Sequence, residues 1–363
     1  MSEHIFFLIW IGILAFITSS GAFKRTELVC GKVEERFDFG FALIVFIPII
    51  WAAGHRGWFA DTSMYIQRFQ DMPNSLDAIP QYLETAVKDK GFYAISIVIK
   101  SLLTTDYEVY LTIFAAFQAV ALVFVFRKYS SNYLLSVFLF IASTDCVSWM
   151  YNGLRQFLAV TLIFMATPLM LKKKYIPLLG VILLASTLHQ SALIMIPFVL
   201  IAQGKAWNKR TLIFIIAALL AVVFVGQFTT FLDDALVNTQ YTNVVSESVG
   251  DDGTNPLRVA VYCVPAVLSF IWRRKIWNHD DQLINFCTNM SIISAGLYLV
   301  SMVAGGIFFG RLPIYVSLYG YILLPWEIEH LFPEEMRELA RYGTVICYLI
   351  FYYVQMHLTW GYI

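Results

Sequence analysis

Apolar runs long enough to cross a bilayer, joined by short polar links, leave this chain one kind of fold. A spanning helix needs roughly 20 apolar residues, with a range of about 17–25. Runs of that kind lie near 5–23, 39–54, 107–126, 133–150, 154–171, 211–229, 257–272, 283–304, 312–326 and 342–357. Only 14% of the 363 residues are charged and 59% are hydrophobic, whereas soluble domains carry about 25% charge. The reading is a single integral membrane domain over 1–363. Its class is an all-α, polytopic transmembrane helix bundle with interfacial helices on its outer face. The first run has no basic segment before it, so it reads as a spanning helix rather than a signal peptide.

The stretch Tyr175 to Gln203 is too long for one ordinary span and short for two. Lys172, Lys173 and Lys174 precede it, and Lys205, Lys209 and Arg210 follow it. Basic flanks mark cytoplasmic ends, so the stretch is expected to enter and return as two short helices with a turn near His189. A single long tilted helix is the competing reading. The first choice gives about twelve crossings, some short or re-entrant, with both termini outside. Of the 25 lysines and arginines, 17 then fall inside, in every basic cluster. Eight fall outside: Arg56, Arg68, Lys88, Lys90, Lys100, Arg155, Arg258 and Arg311.

Two outer loops are large, about 55–106 and 230–257. The first contains Phe92–Leu103, where Ile95, Val98, Ile99 and Leu102 recur at helical spacing and predict an amphipathic helix lying at the interface. The second is acidic, with Gly250, Gly253 and Pro256 as turn signals. The cytoplasmic links hold no phosphate loop or dinucleotide fingerprint, which places function on the outer side. The formal net charge of +0 offers no basic or acidic tail for nucleic acid. The five cysteines form neither a disulfide framework nor a metal pair, and no histidines have ligand spacing, so no metal and no cofactor is expected.

Four arginines kept on the disfavoured side next to apolar runs, Arg56, Arg155, Arg258 and Arg311, call for an anion. Arg155 stands in YNGLRQFLA, where the glycine permits a break and a helix N-terminus adds its own positive end. A diphosphate or carboxylate would answer both charges. The plainer reading has Arg155 reaching lipid headgroups or paired with Asp145. Arg311, in GGIFFGRLPIY with Pro313 after it, follows the same logic. Arg258, just after Pro256, is a third candidate, with Asp251 or Asp252 as alternative partners. His189, in STLHQSAL, is a candidate proton acceptor, although a lone histidine in an apolar run is commonly a satisfied core residue. Asp61, in HRGWFADTSMYIQRF, would bind or activate a sugar hydroxyl, with Trp58 and Tyr65 stacking on the ring. The plainer reading pairs Asp61 with Arg56 and makes the aromatics an interfacial belt.

DTSMY, GFYAIS, LRQFLA, STLHQSALIMIP and GRLPIYVSLYGYILLP occur in that order over roughly residues 55 to 326. Together they resemble the EpsG family of Wzy-type polysaccharide polymerases. Where that family often has a glutamate before the GFY-like segment, this chain has Asp89 and Lys90. The resemblance implies polymerisation of undecaprenyl-diphosphate-linked oligosaccharide units at the outer (periplasmic) face of the bacterial inner membrane. The diphosphate would leave against Arg155, Arg311 and Arg258, with His189 or Asp61 as catalytic base. Tyr65, Trp58 and Gln156 would bind sugar. Membrane lipid surrounds the site, and a chain-length regulator protein is a candidate partner. Two other classes fit a polytopic, cation-lined chain. A flippase of lipid-linked sugar should show charges near the midplane and access from both faces, and a membrane acyltransferase should need a cytoplasmic donor site.

Overall fold

A computed structural model describes residues 2–58, 61–236 and 252–359. The chain divides into two compact units, Met1–Leu193 with Glu335–Ile363, and Ile194–Glu334.

The first unit opens with α1 (Ser2–Ile17), a hairpin of β1 (Lys24–Val29) and β2 (Lys32–Phe37), α2 (Phe39–Ile44) and α3 (Ile47–Gly54). It continues through α4 (Asp61–Asp71), α5 (Ile79–Thr85), α6 (Lys90–Leu102), α7 (Tyr107–Tyr129), α8 (Tyr133–Ala142) and α9 (Asp145–Asn152). Then come α10 (Leu154–Met165), α11 (Thr167–Leu171) and α12 (Tyr175–Leu188). At 23 residues, α7 is about 34 Å long by its rise per residue, enough for the roughly 30 Å hydrocarbon core. The Asp106 carboxylate accepts from the backbone N–H of Glu108 at its start, at 2.7 Å, satisfying one of the donors a helix start leaves open.

Close approach and aromatic contact hold this unit. A Cβ at Gly54 would lie 1.9 Å from Thr112 Oγ1, so α3 rests directly on α7. The buried Phe126 of α7 meets Phe164 of α10 at 5.4 Å and Phe140 of α8 at 6.2 Å, edge-on in both cases, a favoured aromatic geometry.

Among the described residues the fold is all-α as expected, with one short β-hairpin added to it. Cys30 (φ 49°) and Gly31 (φ 83°) form its two-residue turn, with Val29 opposite Lys32. Two successive positive φ values suit the right-handed twist of paired strands. Arg127, at the end of α7, bonds Glu27 and the Phe37 carbonyl, and Arg36 donates to the Lys128 carbonyl at 3.1 Å. Basic residues counted as inner-side charges therefore also fasten the hairpin.

The second unit carries α13 (Met195–Ala202), α14 (Lys209–Val223), α15 (Val225–Leu236), α16 (Pro256–Ile271) and α17 (Arg273–His279). After these come α18 (Gln282–Ala304), α19 (Gly306–Phe309), α20 (Ile314–Ser317) and α21 (Gly320–His330). The helix α22 (Glu334–Val354) returns the chain to the first unit. Asn285 and Asn289 of α18 accept from the backbone N–H groups of Ala206 and Trp207 at 2.9 and 3.0 Å, so two amides on one helix face fix the link before α14.

Among the described residues two helices, α7 and α18, are long and apolar enough to span alone, and up to six spans result if each bent pair is one. The expectation of about twelve is corrected accordingly. The pairs α8/α9, α14/α15, α16/α17 and the Gly306–Ser317/α21 pair bend by 66°, 106°, 72° and 53°, and several other apolar runs yield helices of 10–17 residues. The break expected in 175–203 falls at His189, whose backbone is extended after α12. The loop expected at 230–257 is in part helix, since α15 reaches Leu236. Gly250 and Asp251 lie outside the described residues, as do Phe59 and Ala60.

The stripe expected on α6 is only partly as read. Ile95, Val98 and Leu102 are exposed, whereas Ile99 is buried with Phe92, Tyr93, Ser96 and Ile97. Lys100 donates to the carbonyls of Phe69, Gln70 and Met72 at 2.8, 2.8 and 2.5 Å. A cation answering terminal carbonyls is favourable at a helix C-terminus, so α6 is bolted to the end of α4.

Candidate functional site

The sequence YNG–LRQ makes the site's central break. α9 ends at Asn152, and Gly153 (φ −109°, ψ 40°) separates it from α10. A Cβ on Gly153 would fall 2.1 Å from the Trp149 ring, so any side chain there would have to displace that ring. Arg155 follows in the first turn of α10 and binds Asp89 through Nη1–Oδ2 at 2.7 Å. Their side chains are 14% and 2% exposed, so this is an interior ion pair. The carboxylate Arg155 binds is thus Asp89, 66 residues away in sequence, where Asp145 had been the expected structural partner.

Asp89 is itself held in an unusual place. It sits at φ 55°, ψ 39° before α6, a left-handed conformation uncommon outside glycine though enriched for aspartate. Its Oδ1 is buried with no hydrogen-bond partner. Burial raises its carboxyl above the usual range, with Arg155, Lys88 and Arg68 and the Gln190 backbone pulling it back. Two residues on, a Cβ at Gly91 would lie 2.1 Å from Thr187 Oγ1 and 3.0 Å from the Thr187 carbonyl. α6 therefore starts hard against the end of α12, which places Asp89 near the His189 turn.

Tyrosines line the rest. Tyr65 of α4 is buried, with the Arg155 guanidinium 6.0 Å from its ring centre. Burial pushes its hydroxyl up, and the Arg155 charge opposes this. Arg68 bonds the Tyr93 hydroxyl, and Tyr82 meets Tyr93 edge-on at 6.0 Å. Arg56 donates from Nη1 to the Met150 carbonyl at 2.8 Å and lies 5.5 Å from the Tyr151 ring centre. Its Nε and Nη2 are buried without a partner. Burial lowers its guanidinium to about 10, so it remains cationic at neutral pH. The expected Arg56–Asp61 pair does not form: Asp61 is exposed on the first turn of α4.

Of the residues singled out by sequence, Arg155 and Tyr65 are brought together with Asp89, and the His189 turn adjoins them. His189 Nδ1 shares a hydrogen bond with Ser191 Oγ at 2.7 Å. Trp58 is exposed and edge-on to Tyr107 at 6.3 Å. Gln156 is buried in α10. Arg258 and Arg311 belong to the second unit. There Arg258 lies 6.0 Å from the Tyr298 ring centre, Arg311 is exposed, and Tyr262 stacks on Tyr298 at 4.4 Å.

Sequence reasoning missed Asp89, Arg68 and Tyr93 as members of this cluster and set Arg56 aside. Only the departure at the GFY segment, an aspartate before Gly91, pointed toward Asp89. Among the described residues no group of three or more His, Cys, Asp and Glu side chains could hold a metal.

The model of the EpsG family matches residues 40–361, which takes in every element of the site. No significant match was found among curated proteins or solved structures.

Proposed function

The chain belongs to the EpsG family, a Wzy-type polymerase family of multi-pass membrane proteins, and on that premise we propose that it polymerises lipid-linked oligosaccharide units. The growing chain is transferred from its undecaprenyl diphosphate to a hydroxyl of the next unit, at the outer face of the membrane. The observation that carries this reading is the interior Arg155–Asp89 pair at a broken helix, inside a cluster of arginines and tyrosines.

Arg155, Arg56 and Arg68 stand in this part of the first unit with Lys88 and Lys100, five cations beside the carboxylates of Asp89, Asp61 and Asp71. Such an excess suits a leaving group that develops negative charge. Preplaced cations stabilise a departing diphosphate most where water is scarce. Arg155 presents five N–H donors in a fork, of which Nη1 is engaged by Asp89.

The acceptor hydroxyl must lose a proton as it attacks the anomeric carbon, while the carbon–oxygen bond to the diphosphate breaks. His189, oriented by Ser191, is one base for that proton. Asp61, exposed at the start of α4, is the other. Tyr65 and Trp58 supply ring faces for sugar, and the Gln156 amide a hydrogen-bonding group for it. Arg311 and Arg258, the further diphosphate contacts that the resemblance implies, belong to the second unit. The chemistry asks no metal of these residues.

The test is direct. Purified protein in nanodiscs, given lipid-linked repeat unit, should yield a ladder of longer chains. Translocation of the unit without any ladder would favour a flippase and overturn the polymerase.

A further inference from the structure

Arg56 is the one described arginine whose buried donors are left without any acceptor while no carboxylate answers its charge. Arg341 also has a buried, unpartnered Nε, but its Nη1 binds Glu338 at 2.7 Å. Arg36, Arg127 and Arg155 each bind a carboxylate. For Arg56, Nη1 reaches only the neutral Met150 carbonyl, and its electrostatic neighbours are Tyr151, Tyr65 and Tyr110. A buried charge of this kind is costly unless something pairs with it.

The geometry narrows what that partner is. The unpartnered atoms are Nε and Nη2, the two donors along one edge of the guanidinium. That edge matches two oxygens of a phosphate in a bidentate contact. The same guanidinium holds the end of α9 through Met150, five residues before Arg155 and across the Gly153 break. Tyr65 lies close enough that its hydroxyl is felt by both arginines.

We propose that Arg56 and Arg155 form a two-guanidinium clamp on a diphosphate, with the Nε/Nη2 edge of Arg56 gripping one phosphate and Arg155 the other. The identity of the diphosphate as the substrate's own rests on the polymerase reading, whereas the anion clamp itself does not. Arg56 thereby becomes a binding residue, in place of the structural partner of Asp61 that the sequence suggested.

The test uses the full chain in nanodiscs, with inorganic pyrophosphate as the probe and titration calorimetry as the readout. Wild type should bind pyrophosphate, and Arg56→Met should weaken it by about tenfold to a hundredfold, the range for hydrogen bonds to a charged group. Arg56→Lys keeps the charge but loses the fork, and should fall between them. Without ligand, Arg56→Met should melt at or above the wild-type temperature, because it removes a buried unpaired charge. A lower melting temperature in Arg56→Met, restored by Arg56→Lys with unchanged pyrophosphate affinity in both, would make Arg56 structural and overturn the clamp. So would loss of wild-type binding when neutral nanodisc lipid is replaced by phosphatidylglycerol, which would mark a headgroup site. Arg56-dependent binding without any polymer ladder would leave the clamp standing and remove the polymerase reading. A ladder unaffected by Arg56→Met, with unchanged pyrophosphate affinity, would do the reverse.

Discussion

A single ion pair organises the candidate site, and its two halves were unequally visible in the sequence. Arg155 could be found because it follows glycine at the edge of an apolar run. Asp89 could not, because its partner lies 66 residues on and only the seating of α6 on α12 brings the two together. Arg155→Ala should remove long-chain polymer while single units still reach the cell surface. The expected rate loss is about 10²–10³, typical of deleting one preplaced donor, read as polymer length on gels. Wild-type lengths would remove Arg155 from the mechanism.

Asp89 gives a prediction with a definite sign. Its folded carboxyl is raised, first by burial, so it binds its proton more readily folded than unfolded. The associated stability is present at pH below the unfolded value of about 3.9 and is lost as pH rises through the folded one. Asp89→Asn carries no such dependence. The melting temperature of Asp89→Asn relative to wild type should therefore climb as pH increases from 4 upward, whatever the offset from losing the Arg155 bond. A flat difference would mean that Asp89 is not perturbed.

At the scale of elements, the sequence specifies the structure where hydrophobic period alone decides. The runs at 107–126 and 283–304 became α7 and α18, and the break in 175–203 falls at His189. It is silent where one backbone conformation decides. Thr144 at φ 63° divides α8 from α9, and a β-branched residue in that region is a conformational outlier that no apolar pattern announces. The hairpin at 24–37 was missed because its Cys30–Gly31 turn lies among charged residues that had been counted only for topology. The α6 stripe was half right because Ile99 sits between the face that packs and the face that does not.

The contact of α6 with α12 is the element-level joint on which the site depends, and Gly91 tests it. A methyl group there would meet Thr187 Cβ at 2.6 Å as well as the carbonyl, and neither can swing away. Gly91→Ala should cost about 1–3 kcal/mol, as overpacking does, seen as a lower melting temperature. Polymer synthesis should fall with it, because Asp89 and the His189 turn are pushed apart. Thr187→Ala removes the hydroxyl and should recover part of the loss. Additive effects of the two substitutions would show that the contact is not shared.

At the scale of the whole molecule, the alternation of basic clusters predicts which side each loop faces, although the candidate spans among the described residues are fewer and more bent than the apolar runs suggested. A broken span still carries the chain across whereas a re-entrant pair returns it, so the side of each loop has to be read from its charges and not from a count of helices. The hairpin and the Lys172–Lys174 link should face the cytoplasm, and the segment between α5 and α6 the outside. Three reporters test this with a membrane-impermeant thiol reagent. Cys30 is exposed at the hairpin turn, Lys173 is exposed after α11, and Val87 is 94% exposed two residues before Asp89. With Cys347, the other exposed thiol, removed from every variant, intact cells should label Val87→Cys only. Cys30, and Lys173→Cys in a chain lacking Cys30, should react only after the membrane is opened. Labelling of Cys30 from outside with Val87→Cys protected would turn the molecule over. Asp89 and Arg155 would then open to the cytoplasm, where a polymerase of exported units has no substrate.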